Sequence, residues 1–460
     1  MNSFLFKVIL LGALWLALLI PLFQLRSVVQ ERNGFAAGVV DEIGNTWGGR
    51  QLVAGPFLSV PLRRSVRVDE KTVQESIEWL TFLPKTLNVE GSLDPEIRRR
   101  GIFEAAVYRA DLELSGSFET PDPSSLQAAQ GGVVLWDEAV LAFAVSDLRG
   151  LRSKLELDWN GRRLELAPDA SGATGCLELP SLGVRVPLGP PGAADPSRPA
   201  GGPYHFSLAM ALGGSSRLQF LPLGRDTGVS LLSSWDTPSF SGAFLPDQRT
   251  IDTTGFRATW TIPFFARSFP QAFPTCQITG KLLESAFGVE LLMPVDTYQK
   301  TDRALKYGGL FVLLTFLTFL LFELFDGRRL HAIQYLLVGF AMSIFYLLLL
   351  SLGEHLPFRL AYLIAALAVT VLISGYARAI LGSRRGSAWL FGVLTLLYAF
   401  LCVLLESEDY ALLVGSLALF AVLALVMYLT RHVDWSSSRP ASRLGEGPGA
   451  DAAAFEAVEK

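Results

Sequence analysis

Six apolar stretches, and the way they are spaced, constrain this chain more than any other feature. A bilayer core about 30 Å thick needs roughly 20 apolar residues at about 1.5 Å of helical rise each. Val8–Leu25 is the first such stretch. Tyr307–Phe325, Gln334–Leu352, Leu360–Ala379, Ala388–Leu405 and Tyr410–Leu429 follow one another closely, and residues 26–306, of ordinary polar sequence, separate the first from the second. The expected object is a membrane protein: one N-terminal transmembrane helix (1–25), a large β-rich domain (26–306), a C-terminal bundle of five transmembrane helices (307–430) and a tail (431–460). Composition agrees, since 18% of the residues are charged against roughly 25% in soluble globular chains.

The first stretch reads as an uncleaved signal anchor. Lys7 supplies a charged flank, the apolar run exceeds the 7–15 residues of a signal-peptide core, and no small-x-small cleavage site follows Ile20-Pro21-Leu22-Phe23-Gln24-Leu25-Arg26. Orientation follows from the short loops, where Lys and Arg stay cytoplasmic. Arg328 and Arg329 mark one loop, Arg384 and Arg385 another, and Arg431 opens the tail; the opposite loops hold Glu354 with His355 and the run Glu406, Glu408, Asp409. That alternation places both termini in the cytoplasm and the large domain outside. Arg26 and Arg32, on the outer side of the first span, run against it, as long translocated domains tolerate.

Within 26–306 the clearest unit is Lys154–Trp159, Asn160-Gly161, Arg162–Leu166. Asn-Gly readily supplies the positive φ angles of a type I′ turn, and both arms alternate apolar with polar, so a hairpin is predicted. Further alternating runs are Val53–Val60, Thr72–Phe82, Phe103–Phe118, Tyr204–Leu212, Arg217–Leu221, Phe256–Ile262 and Gly288–Met293. Thr120–Gly132 and Pro187–Pro203 read as Pro/Gly-rich surface loops, and Ser27–Trp47 reads as a helix continuing the first span. Cys176 and Cys276 both fall in this domain. An oxidising compartment permits a disulfide between them; the plainer reading is two unpaired small residues, since pairing across 100 positions cannot be read from sequence.

Chemistry is scarcely signalled. The four histidines, His205, His331, His355 and His432, form no His-x-x-x-His pair, and there is no Cys-x-x-Cys, Gly-x-Ser-x-Gly or phosphate-cradling loop. No cofactor, metal or catalytic residue is expected. A net charge of -4 without a Lys/Arg block argues against nucleic acid. Glu323 is the one candidate intramembrane polar site: an acid in a span points to function by default, while its place near the end of the span, close to Arg328 and Arg329, also suits an ion pair. Asp296, Asp302, Arg303, Lys306 and Tyr307, with Glu354 and His355, form a candidate membrane-interface cluster, in which Thr301 reads as a helix N-cap. The expected partners are the lipid bilayer and a periplasmic or inner-membrane protein; no pattern fixes an oligomeric state. A transporter or lipid-handling protein using the bundle is the rival class, disfavoured by the absence of duplicated halves and of Pro within the last five spans.

Several segments resemble the CreD family of bacterial inner-membrane proteins. The strongest likeness runs from Asp296–Tyr307 through Phe322-Glu323, His331–Gly339 and Phe345–His355. Weaker ones are Gly55-Pro56 with Pro61, Phe82-Leu83-Pro84, Phe244-Leu245-Pro246, Gly255-Phe256 with Trp260, and Asp434-Trp435. The likeness covers roughly residues 1–435. Ala332 stands where the family usually has Pro, which implies a looser helix entry, and Gly353 where it often has Ser. The resemblance implies a cell-envelope protein, in some bacteria under a two-component system responding to envelope or β-lactam stress, with a periplasmic domain and no established reaction. The tail from Ser436 to Lys460, rich in Ser, Pro, Gly and Ala, reads as disordered.

Overall fold

The computed structural model describes residues 3–69, 72–122, 132–168, 177–188, 202–275, 277–293, 297–326, 330–381, 384–407 and 410–431. Two compact units emerge: residues 30–299, and residues 1–29 together with 300–460. Helix α1 (Ser3–Thr46) runs unbroken through the first apolar stretch and on to residue 46, with Pro21 inside it, so the helical reading of Ser27–Trp47 holds up to Thr46.

The unit 30–299 is a β sandwich. Its strands are β1 (Gln51–Asp69), β2 (Thr72–Phe82), β3 (Thr86–Arg100), β4 (Phe103–Phe118), β5 (Gly132–Val134), β6 (Val140–Val145), β7 (Glu156–Trp159), β8 (Arg162–Glu165) and β9 (Ala167–Pro168). They continue as β10 (Ser181–Arg185), β11 (Tyr204–Ser215), β12 (Arg217–Phe220), β13 (Asp226–Ser233), β14 (Pro238–Gly242), β15 (Gln248–Asp252), β16 (Gly255–Pro263), β17 (Ala272–Pro274) and β18 (Phe287–Leu291), with a short helix α2 (Thr279–Glu284) before the last. One sheet runs β14-β18-β12-β1-β6-β10-β9, with β2 and β5 also paired to β1; the other runs β15-β16-β13-β3-β4-β11-β7-β8.

Period-two alternation decides which face of the second sheet is buried. Leu87 and Val89, Leu112 and Leu114, Phe206 and Leu208, and Ala258 and Trp260 point into a core shared with Phe57, Leu141, Phe220 and Phe287 of the first sheet. Trp260 ties the layers together: its ring lies 5.8 Å from Phe287 and 5.7 Å from Phe240. The buried Tyr108 hydroxyl crosses the sandwich and donates to the Arg217 carbonyl at 2.7 Å, and burial pushes its phenol well above the usual range. Buried Arg267 donates to the Pro222 and Leu223 carbonyls and to Gln271; desolvation brings its guanidinium down to about 10.

The predicted hairpin is present. Trp159 pairs with Arg162 across Asn160 (φ 49°) and Gly161 (φ 81°), and Asp158 accepts from the Gly161 amide at 2.7 Å. β2 and β4 coincide with the alternating runs read from the sequence. Most of both proposed surface loops, and both Cys176 and Cys276, lie outside the described residues, as does the tail beyond Arg431.

The second unit contains the first part of α1 and five long helices: α3 (Thr297–Asp326), α4 (Ala332–Gly353), α5 (Phe358–Leu381), α6 (Arg384–Glu406) and α7 (Ala411–Thr430). With α1 they make six helices, among the described residues, long and apolar enough to cross a membrane. The N-terminal helix packs through glycines. A Cβ at Gly339 would lie 2.1 Å from the Leu18 side chain and one at Gly309 2.9 Å from Leu19, so a larger residue at either position would force that leucine to move. Small residues of this kind let membrane helices approach closely. By contrast, no residue of α7 is buried.

One boundary needs correction. α3 begins at Thr297, so Thr301 lies a turn inside the helix and is not its N-cap. Tyr298, Thr301 and Leu305, at helical spacing, are all buried, and that packing face starts the helix earlier than a capping argument suggests. The entry to α4 is secured without the family's Pro: the Gln334 side chain accepts from the His331 amide at 3.0 Å, in the manner of a capping box.

Candidate functional site

Glu323 sits near the end of α3, and among the described residues its cationic partner comes from α1. Arg328 and Arg329 lie outside the described residues; the cation on Glu323 is Lys7 of α1. Lys7 contacts both carboxylate oxygens of Glu323 and donates to the Leu330 carbonyl at 2.8 Å, while the Tyr335 hydroxyl donates to Glu323 at 3.3 Å. An ammonium has three protons to donate, and these three contacts occupy them all. A cation so fully engaged suits a fixture between helices. Its three donors are taken within these contacts.

A second clamp joins the same two helices. Arg26 donates to Asp302 at 2.9 Å and Lys306 approaches the other Asp302 oxygen at 3.2 Å. Between the clamps, the Trp15 indole donates to the Gly309 carbonyl at 2.7 Å. Lys7 to Arg26 on α1 and Glu323 to Asp302 on α3 are runs of similar length in opposite directions, each about 30 Å long at about 1.5 Å per residue. That matches the hydrocarbon thickness of a bilayer. Arg26, which conflicted with the charge rule, is thereby paired with Asp302.

The other interface residues are placed less tightly. The His355 amide donates to the Leu352 carbonyl at 3.1 Å, and Glu354 caps the C-terminus of α4. Arg303 and Glu354 are each engaged with a partner. Asp296 lies outside the described residues, Arg384 and Arg385 open α6 in exposed positions, and Arg431 stacks 4.1 Å over the Tyr428 ring. Arg359 pairs with Glu406 at 2.8 Å. Sequence reasoning identified Glu323 and Asp302 but missed both of their partners on α1, because Lys7 and Arg26 read as flanking charges of an anchor.

On the β sandwich, the face of the second sheet turned away from the core is concave. It forms a trough of about 980 Å³ lined by Glu90, Ser92, Asp111, Glu113, Lys154, Glu156, Asp158, Arg163, Ser207, Ser230 and Arg257 among others. Glu90 stands directly opposite Glu113, and Glu156 opposite Glu165. Like charges at opposed positions destabilise a sheet, so this surface is not optimised for stability alone. The sequence revealed the alternation that puts Asp111 and Glu113 outward, but not the cross-strand register that gathers the acids. Among the described residues no group of three or more His, Cys, Asp or Glu is arranged to hold a metal.

A family model described as Inner membrane protein CreD matches residues 3–436. The chain belongs to the CreD family. It is 36% identical over 429 residues to the Inner membrane protein CreD of Escherichia coli (strain K12), an overlap that covers 93% of this chain and 92% of that relative. CreD membership makes this an inner membrane protein. Several residues that carry the CreD likeness have structural duties here: Glu323 and Tyr335 form a clamp, Gly339 admits Leu18, and Trp260 joins the two sheets.

Proposed function

We propose that this CreD-family protein supports cell-envelope integrity or an envelope-stress response without catalysing a reaction, by binding or docking through a periplasmic β domain. The trough on the open sheet face carries this reading. It is large, concave and polar, and it keeps acids opposed across strands that a purely structural sheet would not need. The domain is joined at both ends to apolar helices, which suits a receptor held near the bilayer. On this reading residues 1–25 anchor the chain, 26–306 lie in the periplasm, 307–430 form the bundle, and 431–460 are cytoplasmic.

Two experiments test it. A photo-cross-linking residue at Ser92 or Ser207 is expected to capture an envelope component in intact cells. A control at Thr250 on the exposed edge strand should not, and Glu90→Gln with Glu113→Gln should weaken capture. Equal labelling at all three positions would remove the docking reading. For orientation, a single cysteine at Tyr410 in a cysteine-free background is expected to react with a membrane-impermeant thiol reagent in intact cells, and one at Arg384 only after permeabilisation. The reverse pattern would invert the topology.

A further inference from the structure

Three tyrosines from three helices of the bundle gather around one phenylalanine. The Phe345 ring on α4 lies 4.9 Å from Tyr346, 5.5 Å from Tyr362 on α5 and 4.7 Å from Tyr398 on α6. The tyrosines are 2%, 4% and 5% exposed. Tyr362 is satisfied, since its hydroxyl donates to the Tyr398 carbonyl at 2.6 Å. The Tyr398 hydroxyl is sealed from solvent and has no hydrogen-bond partner among the described residues. Tyr346 reaches α3 where Gly308 leaves space: a Cβ there would lie 3.3 Å from its hydroxyl oxygen.

A buried hydroxyl without a partner carries its whole desolvation penalty, and lipid tails offer no substitute partner. Such orphans in native proteins call for an occupant, commonly water. The free donor is a neutral phenol and its ring neighbours are aromatic, so the site suits a neutral acceptor and not an anion. We propose that the Tyr346–Tyr362–Tyr398 layer is a binding site for a neutral hydrogen-bond acceptor, held by the Tyr398 hydroxyl with Tyr346 beside it. That acceptor is either an ordered water or the ester carbonyl of a lipid.

The test uses the full chain in detergent and in nanodiscs of defined phospholipid. Tyr398→Phe keeps the ring and removes only the hydroxyl. With an occupant in place, the variant loses a hydrogen bond and its melting temperature falls by about 2–4 °C. An unchanged or raised melting temperature overturns the proposal, because deleting an empty orphan costs nothing. Native mass spectrometry separates the sources. A lipid carbonyl predicts one fewer retained lipid in the variant and no melting difference after delipidation; a water predicts equal lipid retention and a difference that persists. Should Tyr398→Phe fail to accumulate, Tyr346→Phe is read in the same way, with the same melting outcomes supporting or overturning the site.

Discussion

Removing the charge of Glu323 is expected to loosen α1 from the bundle. Lys7 and Glu323 keep only 20% and 13% of their side-chain surface exposed, and breaking one side of a largely buried pair leaves an uncompensated charge that costs about 3–5 kcal/mol. The partial exposure puts Glu323→Ala at the lower end, about 3 kcal/mol. Glu323→Gln should cost less, since an amide oxygen still accepts from Tyr335. The decisive form is a double-mutant cycle. Lys7→Met and Glu323→Gln should each lower the melting temperature in detergent, and the double variant should lose clearly less than their sum. Strict additivity would show that the two residues do not act as a pair. A Glu323→Gln protein that melts like the parent yet fails in cells would point to proton or ion movement instead.

The second large effect is expected at Trp260. It is 1% exposed, touches Phe240 and Phe287 of the opposite sheet and donates through its indole to the Phe244 carbonyl at 3.3 Å. Truncation to Ala opens a cavity between the sheets and is expected to cost about 3–5 kcal/mol. Trp260→Phe retains most of the ring contact and loses the hydrogen bond, at about 1 kcal/mol. Limited proteolysis of the intact protein reads both, with cleavage within 30–299 accelerated strongly by Ala and weakly by Phe. Equal protease resistance of the Ala variant and the parent would mean that this ring does not join the layers.

How much of this was legible depended on the period of each segment. β4 and β16 bury one face and expose the other over most of their length, and their alternation places them within a residue or two. β6 is buried along its whole length, so Val140–Val145 shows no alternation to read. β15 is exposed along its whole length and has none either. β3 carries Pro95 and a run of arginines that mask its pattern. The six spans were plain because apolar length alone defines them. Glu323 and Asp302 stood out as charges at span ends, but their partners are 316 and 276 residues away in the chain, and nothing local records a pairing at that range. The trough was hidden for a related reason. Glu90 and Glu113 become neighbours only through strand register.

The Lys7–Glu323 contact also sets a timetable for biogenesis. A ribosome adding about 5–20 residues per second takes roughly 15–60 s to travel from one partner to the other. For that interval the newborn first helix resides in the lipid with its lysine unmatched, while the whole β sandwich is made. The glycine notches on α3 and α4 then receive a helix that was inserted long before them, so assembly finishes late, by capture of the earliest-made segment.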